Sequence, residues 1–215
     1  MVTPLKVGSL LPPKAPNLPI GPVNYAQDYI NQLLNVLRLY FNQLDNMGSI
    51  LSGQGGAFLN NPYGAFSSYA SQTATVNTAT LMTLNTTDFT NGVTISSSKI
   101  TVAKPGIYNL QFSAQLQNLD NAPQDVFIWL KQNGTDIVGS TGKVGMPARK
   151  SAGVPFHDIK GWNYFVSMQP NDYIEIYWST TNASVTIETY AASGTPTKPS
   201  TASVVATMSF VSALN

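Results

Sequence analysis

The chain has no cysteine, a single histidine and very few charges. Without cysteine there is no disulfide scaffold and no thiolate-held metal, which fits synthesis in a reducing cytoplasm. Lys, Arg, Asp and Glu make up 10% of the 215 residues, against roughly 25% in an average globular protein. Basic and acidic residues number 11 and 10, a net charge of +1. That leaves no basic stripe to attract nucleic acid or an anionic membrane. No stretch reaches the roughly 18 apolar residues of a membrane-crossing helix, so membrane insertion is not expected. The opening "MVTPLKVGSLLPPKAPNLPIG" lacks the apolar core of a signal peptide, its prolines interrupting what apolar content it has.

Motifs of catalysis are equally sparse. His157, in "VPFHDI", could pair with Asp158 or Ser151, but no nucleophile elbow surrounds it and one histidine cannot build a His-rich metal site. The ten acids show no paired-carboxylate constellation along the sequence, although folding could assemble one. "GQGG" at 53–56 lacks the lysine and strand context of a phosphate loop. The expectation is a protein without cofactor or metal, and not an enzyme. Three Asn-x-Ser/Thr strings, at Asn85, Asn133 and Asn182, are incidental to an Asn/Thr-rich chain.

What is present falls into four parts. Residues 1–23 carry prolines at 4, 12, 13, 16, 19 and 22, a density that blocks helix and sheet ladders and favours extended backbone. This part is either a disordered tail or an arm laid along another protein. Residues 24–47, "NYAQDYINQLLNVLRLYFNQLDNM", form one predicted helix, with Asn24 as N-cap, Asp28 at the positive end of the dipole and Gly48 as terminator. Ile30, Leu33, Leu37, Tyr40, Leu44 and Met47 alternate spacings of three and four, a coiled-coil seam. Tyr29, Leu34, Val36, Leu39 and Phe41 make the neighbouring faces apolar as well, so one partner helix would not cover them. The seam is assigned to particle anchoring or assembly: a bundle of symmetry mates or a groove in a larger structure, packing on the chain's own domain being the alternative. Residues 48–72 read as a Gly/Ser/aromatic linker.

From 73 to 215 the chain is a series of short β runs with turns between them. Candidates are 73–84, 92–95, 99–102, 106–116, 125–132, 135–140, 161–168, 173–180, 184–190 and 203–212. Asn133-Gly134 is a type I′ hairpin signal, and "PG" at 105–106 and "QPND" at 169–172 are turns before strands. This spacing predicts a mainly β protein: arm and helix, then an antiparallel jelly-roll sandwich. In "GIYNLQFSAQL", 106–116, the polar row is Asn, Gln and Ser without a charge. Such a row suits burial against a sister sheet or subunit, because amides pair without the desolvation cost of charge, though plain exposed sheets also carry it.

Aromatic residues are the remaining candidates for recognition. Exposed rings would make a receptor or glycan platform; buried rings would line the core or a trimer axis, which the strand pattern favours. Phe127, Trp129 and Trp178 are assigned as trimer or core contacts. Because "VFIWL", 126–130, is apolar throughout, Phe127 and Trp129 are expected to split, one ring toward the core and one toward a partner.

"AKPGIYNLQFSA", 103–114, resembles the strand after a PGxYxF pattern in the jelly-roll superfamily of complement-type and tumour-necrosis-factor-like trimers. "VSMQPNDYIEIYW", 166–178, looks like the turn before the penultimate strands of that superfamily, and the resemblance spans roughly 73–212. The collagen stalk of the complement family is missing, so that family's ligands do not carry over. The composition, the helix at 29–46 and the closing "FVSA" also resemble virion appendage and decoration proteins of tailed phages that infect marine bacteria. That resemblance implies a homotrimeric structural protein on a virus particle, made in the host bacterial cytoplasm. Its partners would be copies of itself and capsid or tail proteins. A receptor- or glycan-binding module of a tail fibre is the alternative.

Overall fold

The computed structural model describes residues 16–18, 20, 23–24, 26–52 and 61–214. Most of the proline arm and residues 53–60 of the expected linker, including the "GQGG" string, lie outside them. Residues 16–18 and 20 carry no regular secondary structure. The chain divides into two compact units, Met1–Asn61 and Pro62–Asn215.

In the first unit, helix α1 spans Gln27–Ser52, about 39 Å at 1.5 Å per residue. Ala26 rather than Asn24 stands at its start, its carbonyl accepting the Ile30 N–H at 3.3 Å. Asp28 lies in the first turn, as expected. Gly48 does not end the helix, which continues through it for four further residues. Leu44 and Met47 extend the apolar seam to this region, and a single interior glycine costs only about 1 kcal/mol.

The second unit is an antiparallel jelly-roll sandwich. In chain order its strands are β1 (Tyr63–Ser68), β2 (Thr80–Leu81), β3 (Thr86–Asn91), β4 (Val93–Ser96), β5 (Lys99–Val102), β6 (Gly106–Asn118), β7 (Gln124–Gln132) and β8 (Thr135–Asp136). Then follow β9 (Gly142–Met146), β10 (Phe156–Met168), β11 (Tyr173–Thr180), β12 (Val185–Ile187), β13 (Ser193–Gly194), β14 (Thr197–Lys198) and β15 (Val204–Ser212). One sheet runs β10-β6-β15-β1-β3 with β12 also on β6; the other runs β4-β5-β11-β7-β8 with β2 on β11 and β9 on β7. Strands β13 and β14 form a separate ribbon. Between β5 and β12 the chain keeps crossing from one sheet to the other, which is the jelly-roll path.

Alternation builds the core. Tyr108, Leu110, Phe112, Ala114 and Leu116 of β6 are all buried, facing Val126, Ile128 and Leu130 of β7 and Ile174, Ile176 and Trp178 of β11. The Tyr108 hydroxyl donates to the Lys104 carbonyl at 2.8 Å, and burial raises its pKa. At one side, Trp162 of β10 packs edge-on against Phe112, centroids 4.7 Å apart, and lies across β9. A Cβ at Gly142 would sit 2.8 Å from that indole, so the close approach of the two sheets there requires glycine.

Several boundaries differ from the sequence reading. β1 lies inside the expected linker, and every residue from Gly64 to Ser68 is buried. It sits between β15 and β3 with both faces covered, and Gly, Ala and Ser are what the crowding permits: a Cβ on Gly64 would meet the Phe66 ring at 2.6 Å. β3 and β9 were not expected, the first being nearly all polar and the second interrupted by two glycines. Residues 73–84, expected as one strand, pair only at Thr80–Leu81. β10 begins five residues earlier than expected, because His157 and Asp158 continue the pairing opposite Gln117 and Leu116.

Phe127 and Trp129 do not split. Residues two apart share a face of a strand, so both point outward, half-buried, while Val126, Ile128 and Leu130 fill the core. Trp178 is fully buried, as a core contact should be. We expect Trp178→Ala to lose about 3 to 5 kcal/mol of unfolding free energy and Phe127→Ala less than about 2 kcal/mol, measured by urea titration.

The turns before β8 and β11 are locked together. Asn133 (φ 52°) and Gly134 (φ 80°) both adopt the positive φ that a type I′ turn demands. Asp172 accepts the Gln169 N–H at 2.7 Å and the side-chain amides of Asn133 at 2.8 Å and Gln132 at 3.2 Å. The Gln169 bond, aided by the two amides, holds its pKa below the ordinary value of 3.8. A depressed carboxylate stabilises the fold above its unfolded pKa and loses that contribution as pH falls through the folded value. Stability should therefore drop below pH 3.8, and Asp172→Asn should flatten that part of the acid-unfolding curve.

Candidate functional site

The lone histidine sits at the start of β10, exposed. Its Nδ1 lies 2.9 Å from the Tyr190 hydroxyl, and the two rings meet edge to face at 5.6 Å. Neither of the candidate partners in the sequence meets His157: Asp158 pairs with Lys160 at 2.8 Å, and Ser151 bridges Val154 through its backbone. Tyr190 has a raised pKa, first from burial and then from the nearby Glu188 charge. Glu188 itself accepts hydrogen bonds from Ser71 and Thr186, both at 2.6 Å. No group of three or more His, Cys, Asp or Glu suited to a metal occurs among the described residues.

The sandwich's carboxylates are mostly committed to the fold. Asp88 accepts from Ser67, Asp120 from Gln124 and Asn182, and Asp172 from its turn. Asp125, Asp136 and Asp158 each pair with a lysine. Glu175 departs from this pattern: the residue is 5% exposed, and its side chain has neither hydrogen bond nor ion pair among the described residues.

The two outer faces of the sandwich differ sharply. On the sheet that contains β6, cross-strand rows over β10, β6 and β15 read Phe165-Asn109-Ser209, Asn163-Gln111-Thr207 and Gly161-Ser113-Val205. No charged residue enters these rows. Ile159 and Phe165 of β10 are 60% and 56% exposed on the same face. The charged residues of β10, Asp158 and Lys160, lie at inward-facing positions opposite Leu116 and Ala114.

The outer face of the other sheet is aromatic and charged. Trp129 and Tyr177 stand directly opposite each other, rings 5.9 Å apart and tilted 31°. The Trp129 indole donates to Asp136 at 2.8 Å. Lys131 lies over Tyr177 at 4.5 Å, Lys99 over Tyr173 at 4.3 Å and Lys143 over Phe127 at 5.7 Å. Two of the residues assigned from sequence, Phe127 and Trp129, belong to this face. Glu175 and the three lysines carry no such signal in the sequence, because only strand pairing brings them to this face.

On α1 the residues assigned to anchoring, Ile30, Leu33, Leu37, Tyr40, Leu44 and Met47, are half-buried, and no described residue of the helix is buried. Leu34, Leu39 and Phe41 are exposed. No family model matches this chain, and no curated protein matches it.

Proposed function

We propose that this chain is a homotrimeric structural protein of a tailed-phage particle, anchored by its N-terminal arm and helix and presenting the jelly roll. One observation carries the self-association: a broad sheet face on which every outward residue of the three central rows is uncharged. A water-facing sheet ordinarily carries Lys and Glu. Amides both donate and accept, so this face can pair with a different uncharged surface of the neighbouring copy, the heterologous contact that a three-fold ring requires, and it loses little on desolvation. Exposed Ile159 and Phe165 add the apolar area that water would otherwise cover.

The mode of contact is also constrained. β10 ends its sheet, and a bare edge of 13 residues invites strand addition. Inward-pointing charges such as Asp158 and Lys160 are what guards such edges. Subunits therefore meet through this face rather than by extending the sheet.

The helix supports the anchoring half of the reading. Apolar residues on the seam and on both flanks exceed what one partner helix covers, and most of a helix's stability comes from packing such faces. The virion setting rests on the resemblance of the helix, the composition and the closing "FVSA" to phage appendage and decoration proteins.

Sedimentation equilibrium on the full chain should give a trimer at micromolar concentration, and Gln111→Lys should shift it toward monomer with an unchanged melting curve. A monomeric native chain would remove the self-association. For anchoring, residues 62–215 should fold yet fail to decorate purified particles that lack the native protein. Full-occupancy decoration by that fragment would place the anchor in the jelly roll.

A further inference from the structure

The face opposite the uncharged one holds a feature that assembly does not use. Glu175 follows Tyr173 and precedes Tyr177 by two on β11, with Ile174 and Ile176 turned into the core, so its side chain is directed to the outer face. In register it lies beside Lys131 of β7. The pairing of Ile174 with Ile100 places Lys99 of β5 on its other side. Both ammonium groups rest on tyrosine rings instead of on the carboxylate. Although the residue is only 5% exposed, its carboxylate oxygens are not among the buried atoms left without a partner, so they reach the outer surface, while the seven other carboxylates of the sandwich all have a partner.

We propose that the outer face of β7 and β11 is a binding site for neutral pyranose oligosaccharides, built on Trp129, Tyr177 and Glu175. A pyranose presents hydroxyls that donate to a carboxylate and a C–H face that stacks on an aromatic ring. Both complements are here. Glu175 is an acceptor without a donor, and Trp129 is a large ring over which no cation lies among the described residues. The Nε1–H bond to Asp136 fixes the indole plane, so a ligand meets an ordered platform. Lys99 and Lys131 are placed to donate to ring or hydroxyl oxygens.

Charge decides the class of sugar. Lys99, Lys131 and Lys143 are balanced by Asp125, Asp136 and Glu175, three against three, and two of those pairs are closed ion pairs. A balanced site gives no advantage to a sulfated or uronic saccharide.

Titration calorimetry on the full chain is the test, with hexasaccharides of glucose, mannose, galactose and N-acetylglucosamine to about 10 mM. At least one should bind, and Trp129→Ala and Glu175→Gln should each weaken it by at least about tenfold. Trp129→Phe should retain part of the affinity, and Gln111→Lys on the other sheet should leave it unchanged. Glu175→Gln is nearly isosteric, so it reads the site even where Trp129→Ala lowers stability. The proposal fails if none of the hexasaccharides binds, or if both variants bind like the native chain. It also fails if hexagalacturonate is preferred. Dissociation of the native oligomer by Trp129→Ala would make this face a subunit contact and overturn it as well.

Discussion

The strict alternation of β6 is the constraint on which the sandwich depends. It is the second strand of its sheet, bonded on one side to the edge strand β10 along its whole length and on the other to β15 and β12. A slip of one residue would move Tyr108, Leu110, Phe112, Ala114 and Leu116 into water and bring Asn, Gln and Ser into the core. Three neighbouring strands would have to follow. The same register that fixes the core therefore fixes the composition of the outer face.

Scarcity of charge has two consequences within one fold. On the β6 side nearly all charge is absent and amides take the outer positions. On the β7 and β11 side the few charges are gathered, and they appear with rings: each of the three lysines there lies over an aromatic face. A cation over a ring contributes about 0.5 to 1 kcal/mol at exposed sites, which helps order the lysine stems and the rings beneath them. The sandwich has one face whose three rows across β10, β6 and β15 are uncharged and one patterned with donors, acceptors and aromatic surface. The proposed self-association and the proposed saccharide site would then occupy opposite sides without competing.

The fold was legible wherever one face of a strand is wet. β5 and β11 match the expected bounds to the residue, and β6 and β7 nearly so, because period-two hydrophobicity survives in them. Where both faces are covered, as in β1, the alternation disappears and Gly, Ala and Ser read as linker. β3 failed for the opposite reason, having little apolar content to alternate. The outer aromatic face was half legible: Trp129 and Phe127 stand out by residue type. Their shared direction follows from spacing two apart, yet the apolar run "VFIWL" disguised it. Glu175 carries no signal in the sequence, since its significance lies in lacking a partner after strands far apart in the chain come together.

The contact between Gly142 and Trp162 ties the inheritance of two distant positions. The indole fills the space where a side chain on β9 would stand, so neither site can vary freely while the other stays fixed. A lineage that enlarged residue 142 would first need a smaller residue at 162, and one that lost the tryptophan would open room for the first substitution. Descendants of this chain should therefore fall into two groups, glycine with a large ring or a larger residue with a small one, and the mixed combinations should be rare.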